Sequence, residues 1–224
     1  MIAGLSPESS AHYYIIINET VRDRLGGNHS AKILMSSVNF QEVVYAMDIN
    51  DWNRVQEIMI REARVLQPHV DAIIICTNTI HRVANDVQRA IKIPLIHIGK
   101  VTADRVRTTG IKKVGLLGTS PTMREGFIKD FFFMDGIEVI VPAEEEMEFM
   151  DTLIFQELCM GIIKAESRKR LLSIISDLEL RGAKGIVLAC TELQMIIKPE
   201  DLKIPVFDTM RIHAEAATNF ILGK

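Results

Sequence analysis

The chain has 224 residues, of which 48% are hydrophobic and 25% are charged. That is a globular composition with enough apolar residues for one large core or two small ones, and it excludes a disordered tail or a fibre. The 26 basic and 29 acidic residues are interspersed and leave a net charge of −3, which argues against nucleic acid as a partner. All apolar runs are shorter than the ~20 residues of a membrane span and no signal peptide opens the chain. We therefore expect a cytoplasmic protein with no membrane partner.

Short β-branched runs alternate with stretches of helical periodicity along the whole chain, which predicts an α/β fold whose parallel strands are covered on both faces. The first helix is predicted to begin after the Ser6-Pro7 pair and to end near Leu25, before two glycines. The predicted strands are 1–3, 32–36, 72–76, 95–98, 113–117, 137–141, 185–189 and 206–207. The later helices are predicted at 51–67, 79–91, 122–135, 144–160, 166–181 and 210–222.

Three short segments of the first half recur in the same order in the second half, at a spacing of about 110 residues. The matching pairs are 4–7 with 118–121, 73–79 with 186–192, and 92–96 with 203–207. This indicates a duplicated unit with four strands in each copy. We expect one lobe over 1–100, completed by the C-terminal helix 209–224, and a second lobe over 101–208.

Both predicted third strands end abruptly in small polar residues, Thr77-Asn78-Thr79 in the first lobe and Cys190-Thr191-Glu192 in the second. Ligands of parallel α/β sheets bind at the carboxyl ends of strands, where the free N–H groups of helix N-termini suit an anion. If the two ends face one another, they form one anion-binding cleft between the lobes.

Three cysteines are too few for a disulfide framework, and their spacing is not that of a zinc site, so no metal is expected. Cys190, at a strand end beside a helix start, is either a small core residue or a thiol that ionises readily. Cys76 points to the opposite face of its strand and is expected in the core. Cys159 lies in an apolar helical stretch and is expected to pack there as well.

At these positions the sequence resembles the aspartate/glutamate racemases, a cofactor-independent family within the Asp/Glu/hydantoin racemase superfamily. The segments that carry the resemblance are 4–9, 25–32, 77–81, 190–192, 206–209 and 212–215. The resemblance implies two pseudo-symmetric, Rossmann-like domains, each with a four-stranded mainly parallel sheet, and an active site between them. It also implies a homodimer, no cofactor, a small amino-acid substrate, and one proton-transfer residue at each third-strand end.

The first of these residues departs from the commoner family pattern, Cys-Asn-Thr-x-His, because Thr77 stands where the cysteine is usual. A shift of one residue would place Cys76 there instead, but the internal repeat also pairs Thr77 with Cys190. The sequence is most similar to the subgroup specific for L-aspartate and L-glutamate, which carries a threonine and a cysteine. This resemblance implies that Cys190 acts on the L-enantiomer and Thr77 on the opposite face.

The same strand ends supply the expected substrate contacts. Asn78, Thr79 and Thr191 are expected to hold the α-carboxylate, using N–H groups at the helix starts. Glu192 is expected either to bind the ammonium group or to be an ordinary first-turn acid. Leu5, in the turn after the first strand, is expected to contribute backbone contacts.

The distal part of the substrate is less well determined. Some family members bind the second carboxylate with an arginine and a lysine, but the matching places in this chain are Val43 or Met47 and Cys159. Two alternatives therefore stay open: the same fold acting on a hydantoin, maleate or arylmalonate, or a non-catalytic amino-acid-binding protein.

Overall fold

The computed structural model describes residues 1–223, which form two compact units. The first unit comprises Met1–Ile98 and the residues from His213 onward, and the second comprises Gly99–Ile212. Within residues 1–223, none of the helices combines the length and the apolar character that a bilayer crossing demands.

The first unit holds a small parallel sheet and the helices that cover it. In chain order its elements are β1 (Ile2–Ala3), α1 (Pro7–Leu25), β2 (Ser36–Ser37), α2 (Phe40–Asp48), α3 (Trp52–Leu66), a 3₁₀ turn (Gln67–His69), a second 3₁₀ turn (Thr79–Val83), α4 (Ala84–Ala90) and α5 (Ile98–Thr108), which continues into the second unit. The α2 helix lies in a stretch for which the sequence predicted no element.

The sheet of the first unit is built around β1, which pairs in parallel with β2 on one side. On its other side, Ile2 forms a single parallel bridge with Ile75, and Ile73 forms another with Leu95. The predicted strands 72–76 and 95–98 are thus reduced to single bridges. Pro94, which has no N–H to donate, limits the ladder at the last segment.

Helix α1 begins and ends as its sequence predicts. The Ser6 side chain accepts a hydrogen bond from the N–H of Ser9 at 3.3 Å, and Pro7 occupies the first helical position. At the other end the helix stops at Gly26, whose φ of 76° favours glycine. The buried face of α1 contributes Tyr13 and neighbouring aliphatic side chains to the interior.

The second unit contains a larger sheet of four parallel strands. Its elements are β3 (Lys113–Gly118), α6 (Ser120–Arg124), α7 (Gly126–Met134), β4 (Glu138–Ile140), α8 (Glu144–Thr152), a π-helical turn (Leu153–Glu157), a 3₁₀ turn (Leu158–Met160), α9 (Ala165–Leu180), β5 (Ile186–Ala189), 3₁₀ turns at Leu193–Met195 and Pro199–Asp201, β6 (Val206–Asp208) and α10 (Thr209–Ile221), which ends in the first unit. The strand order is β4-β3-β5-β6.

Each unit has four strand segments in chain order: β1, β2, the stretch with Ile73 and Ile75, and the stretch with Leu95 in the first unit, and β3, β4, β5 and β6 in the second. In both units the first segment lies between the second and the third, and the fourth lies beside the third. In each, the first and third segments are central and almost wholly buried. The predicted α/β class, with parallel sheets flanked by helices, is confirmed. The three sequence segments that recur at a spacing of about 110 residues occupy corresponding places in the two units.

One prediction about the second unit is wrong. The helix predicted to run through 144–160 ends as α-helix at Thr152 and continues as a π-helical and then a 3₁₀ turn. Each change of helix type shifts the angular phase of the following side chains. Leu158 consequently points into the core, and Cys159, which was expected to pack there, is exposed.

We predict that Gly4→Ala destabilises the first unit by about 3 kcal/mol or more, because a Cβ there adds a backbone clash to an unfavourable φ. Gly4 has φ +81°, and its Cβ would lie 2.5 Å from the carbonyl oxygen of Val38, which follows β2. Gly26 has a similar φ of +76° but no neighbour within 4 Å. Gly26→Ala should therefore cost only about 1 kcal/mol. Urea unfolding of both variants tests the difference, and equal losses would contradict the clash.

Candidate functional site

The first group of predicted site residues lies where the third segment of the first unit ends. The N–H of Thr77 donates to the carbonyl oxygen of Ile75 at 2.9 Å, which turns the chain out of the sheet. The Ser9 hydroxyl, at the start of α1, donates to the carbonyl oxygen of Cys76 at 3.3 Å. Thr77 therefore lies at the carboxyl edge of the sheet, beside the N-terminal turn of α1.

The side chains of this segment differ in how deeply they are buried. Thr77 and Thr79 are half-buried, whereas Asn78 is 3% exposed. Cys76 is fully buried, and this burial raises the pKa of its thiol to about 12. A thiol with so high a pKa is neutral at physiological pH, which suits the expected core residue and not a base. Leu5 is also buried and packs in the core of this unit.

His81 fastens the Thr77 segment through both of its ring nitrogens. Nδ1 lies 2.7 Å from the carbonyl oxygen of Thr77, and Nε2 accepts the N–H of Ile98 at 3.2 Å. A carbonyl oxygen can only accept and an amide N–H can only donate, so the ring is the neutral tautomer with its proton on Nδ1. His81 thus joins the end of the third segment to the first residue of α5.

A second histidine, His213, binds the backbone of Ile96 in the fourth segment, two residues before Ile98. His213 of α10 donates from Nε2 to the carbonyl oxygen of Ile96 at 2.8 Å, and its Nδ1 accepts from the Tyr13 hydroxyl at 2.9 Å. The ring of His81 lies 5.4 Å from that of His213 and 4.6 Å from that of His97. We call His81, His97 and His213 the histidine cluster.

All three imidazoles of the histidine cluster are held neutral. Burial is the largest cause that lowers their pKa values, to about 4 for His97 and His213 and well below the ordinary range for His81. The neighbouring imidazoles lower the pKa values of His81 and His97 further. Within residues 1–223 no group of three or more His, Cys, Asp or Glu side chains is arranged to hold a metal ion.

The second group of predicted site residues lies directly after β5 of the second unit. Cys190 is half-buried, and its Sγ lies 3.0 Å from Oε2 of Glu192. The Thr191 hydroxyl donates to the same Oε2 at 2.6 Å. The structure thus brings these three residues together around one carboxylate oxygen. Oε1 of Glu192 has no hydrogen-bond partner among residues 1–223.

The Cys190 thiol is protonated in this arrangement. Burial raises its pKa well above the ordinary value, and the negative charge and hydrogen bond of Glu192 raise it further. An electrostatic interaction with Cys159 also raises the pKa of Cys190. A bound cation that offset the negative charge of Glu192 would lower the pKa of the Cys190 thiol, because the thiolate would then be repelled less by the carboxylate.

The places matched to a distal carboxylate carry no cation. Val43 is fully buried in the core of the first unit, so it has no surface for a ligand, and Met47 is partly buried against the same core. Cys159 is exposed in the 3₁₀ turn that follows the π-helical turn.

Sequence reasoning gave His81 no defined role and did not single out His97. Ser9 and His213 lie in segments that carry the family resemblance, but neither was assigned a role. The family pattern Cys-Asn-Thr-x-His, which ends on a histidine at the position of His81, was the available signal for that residue. The contacts of His213 join residues far apart in the chain, to Tyr13 and to Ile96, so no spacing rule could have found them.

Comparison with known proteins gives a consistent family. The model of the family described as Asp/Glu/Hydantoin racemase matches residues 2–217. A structure from Yersinia pestis, of a protein assigned to the Asp/Glu racemases, is 40% identical with a TM-score of 0.94 and covers 99% of this chain and 97% of its own. An aspartate racemase homologue from Pyrococcus horikoshii OT3 is 32% identical with a TM-score of 0.86 and the same coverage.

A more distant relative is similar in sequence over the full length. The broad specificity amino-acid racemase RacX of Bacillus subtilis (strain 168) is 22% identical over 229 aligned residues, which cover 100% of this chain and 97% of that protein.

We predict that stability falls steeply as the pH drops below about 6.5. His97 and His213 stay neutral in the folded protein down to about pH 4, whereas in the unfolded chain they bind protons below their ordinary pKa of 6.5. Each then costs up to about 1.4 kcal/mol per pH unit, or together about 4 kcal/mol between pH 7 and pH 5. Urea unfolding at pH 7, 6 and 5 measures the loss.

His213→Gln is the diagnostic variant, since its amide can still donate to Ile96 and accept from Tyr13 but cannot titrate. It should lose about 2 kcal/mol less than the wild type over that pH range. The exposed His12→Gln serves as the control and should retain the wild-type slope. Equal slopes in all three proteins would contradict the neutral cluster.

Proposed function

This chain belongs to the Asp/Glu/hydantoin racemase family and is an amino-acid racemase, and we propose that its substrates are L-aspartate, L-glutamate or both. In this proposal Cys190 removes the α-proton of the L-enantiomer and Thr77 serves the opposite face of the α-carbon. The enzyme is further proposed to work in the cytoplasm and, as the resemblance to its family implies, as a homodimer without a cofactor.

The observation that carries the proposal is the thiol of Cys190 held against the carboxylate of Glu192 at the end of β5. Proton abstraction next to a carboxylate requires a base, and a thiolate is the strongest base that a cysteine can supply near neutral pH. A protein that merely bound amino acids would not require an ionisable thiol at this edge. The Thr77 hydroxyl, at the corresponding edge of the first unit, completes the pair.

The two proposed proton-transfer groups are chemically unequal. From the L-enantiomer, the Cα–H bond breaks, its proton passes to the Cys190 thiolate, and the electron pair is left on an α-carbon conjugated with the carboxylate. A proton then reaches the opposite face from Thr77, directly or by relay. A threonine hydroxyl is a far weaker acid than a thiol, so Thr77 is better suited to pass a proton on than to act as an unaided base.

Glu192 links substrate binding to the ionisation of the thiol. Its Oε2 holds Cys190 and Thr191, which leaves Oε1 for the ammonium group of the substrate. An ammonium at Oε1 would offset the negative charge that raises the pKa of Cys190, and the thiolate would form as the substrate binds. Asn78, Thr79 and Thr191 are proposed to bind the α-carboxylate.

The backbone of Leu5 is proposed as a further substrate contact.

We predict that the two halves of the reaction can be separated with 3-chloroaspartate, whose α-proton abstraction expels chloride irreversibly and yields oxaloacetate and ammonia after hydrolysis. In Thr77→Ala, racemisation of L-aspartate should fall by about 100-fold or more, the usual worth of a general acid or base. Elimination from 3-chloro-L-aspartate should persist within about tenfold, since Cys190 is intact. Cys190→Ala should lose elimination from the L-isomer together with racemisation.

Cys76→Ala is the matched control, because it removes the neighbouring thiol and leaves Thr77 unchanged. It should retain both reactions; loss of racemisation in this variant would assign the role to Cys76 instead. The wild type is assayed in deuterated water with L-aspartate, L-glutamate and L-alanine. Deuterium in the product but not in the remaining substrate is expected for two proton-transfer groups, and L-alanine as the best substrate would refute the acidic specificity.

A further prediction concerns the charge of Glu192. In Glu192→Gln, Cys190 should react with iodoacetamide at a lower pH than in the wild type, because the negative charge that raises the pKa of its thiol is gone. The KM for L-aspartate should rise about 10-fold to 100-fold, as expected when a charged hydrogen-bond partner is removed. Both proteins carry Cys159→Ser, so that the exposed thiol does not contribute to the alkylation.

The exposed Glu200→Gln is the control for a general change in surface charge and should alter neither quantity. An alkylation profile unchanged by Glu192→Gln would contradict the electrostatic role of Glu192. An unchanged KM would contradict its role in binding the ammonium group.

A further inference from the structure

The Thr77 segment is fixed by side chains that take no part in the proposed chemistry. Two successive carbonyl oxygens before Asn78 are each bonded by a side chain, that of Cys76 by the Ser9 hydroxyl at 3.3 Å and that of Thr77 by Nδ1 of His81 at 2.7 Å. The Thr77 N–H is bonded as well, to Ile75. The backbone on both sides of the Thr77 side chain is thus held by three hydrogen bonds.

His81 also ties the segment to the start of α5. Its Nε2 accepts the N–H of Ile98, the first residue of α5. The partner of this N–H lies outside the helix, because the first N–H groups of a helix have no preceding turn to bond. The residue two positions earlier, Ile96, is bonded by His213, which is bonded in turn by Tyr13 of α1. The third segment, the fourth segment and α1 therefore meet at the histidine cluster.

We infer that His81 is a positioning residue of the proposed racemisation, acting through the Thr77 carbonyl to set where the Thr77 hydroxyl lies. His81 bonds only backbone groups with its ring and is 1% exposed, so it does not itself exchange protons with a substrate. A misplacement of a reacting group by about 1 Å costs on the order of 100-fold in rate. Loss of the bond to Thr77 should accordingly impair the Thr77 half of the reaction and spare the Cys190 half.

The inference requires that His81 stay neutral, which its surroundings provide. The rings that face it are those of His97, beside the fourth segment, and His213, on α10, and Tyr13 of α1 contacts His213. A proton on Nε2 would remove the acceptor for Ile98 and place a charge within 4.6 Å of a second imidazole ring. Burial and both neighbouring imidazoles lower the pKa of His81 accordingly.

The test compares two variants that differ in hydrogen bonding. His81→Leu removes both bonds, whereas the amide of His81→Gln can donate to Thr77 and accept from Ile98. In His81→Leu, the kcat of racemisation and the elimination from 3-chloro-D-aspartate should fall together by about tenfold or more, with elimination from the L-isomer changed less than threefold. In His81→Gln both should return towards the wild type. The exposed His12→Gln is the control for loss of an imidazole.

Because the inference rests on the proposed function, the wild type must first show racemisation and elimination from both isomers; their absence refutes the proposed function and not the role of His81. An equal fall of the two eliminations in His81→Leu would show a merely structural role and overturn the inference, as would an unchanged elimination from the D-isomer. If His81→Leu does not fold, His81→Asn replaces it, since the shorter amide cannot span both backbone groups. The same selective loss is then expected.

Discussion

The parallel pairing of the first strand segment with the third is the interaction on which the rest of each unit depends. In the first unit it is the bridge of Ile2 with Ile75, and in the second it is the ladder from Gly115 with Ile186 to Gly118 with Ala189. Parallel strands end at a common edge, and the chain must leave that edge through a turn. Thr77 and Cys190 each follow such a segment, so the pairing fixes the edge at which each side chain emerges.

The two edges are stabilised by different means. The third and fourth segments of the first unit are joined to the sheet by single bridges, and buried side chains add hydrogen bonds, from His81 to the end of the third segment and from His213 to the fourth. The second unit has a regular four-stranded ladder, and its polar contacts after β5 are local, from Cys190 and Thr191 to Glu192. A tertiary network therefore fixes the threonine, whereas sequence neighbours surround the cysteine.

These differences fit the unequal chemistry proposed for the two residues. A threonine hydroxyl has no accessible charged form near neutral pH, so only its position can be improved, and a rigid backbone on both sides serves that purpose. The ionisation of a thiol depends on nearby charges, and a carboxylate oxygen of Glu192 lies 3.0 Å from the sulfur of Cys190. The neutrality of the histidine cluster carries a cost, because buried imidazoles make the first unit sensitive to acid.

The sequence by itself determined the α/β class, the parallel strands, the limits of α1 and the repeat that relates the two halves of the chain, because periodicity, capping residues and recurring segments are local signals. It also singled out Thr77 and Cys190 as residues at strand ends. Only the tertiary structure decided that Cys159 is exposed after a π-helical turn and that the predicted strands 72–76 and 95–98 are single bridges. It alone brought together His81, His97 and His213, since His213 lies more than a hundred positions from the other two and such a contact leaves no periodic trace in the chain.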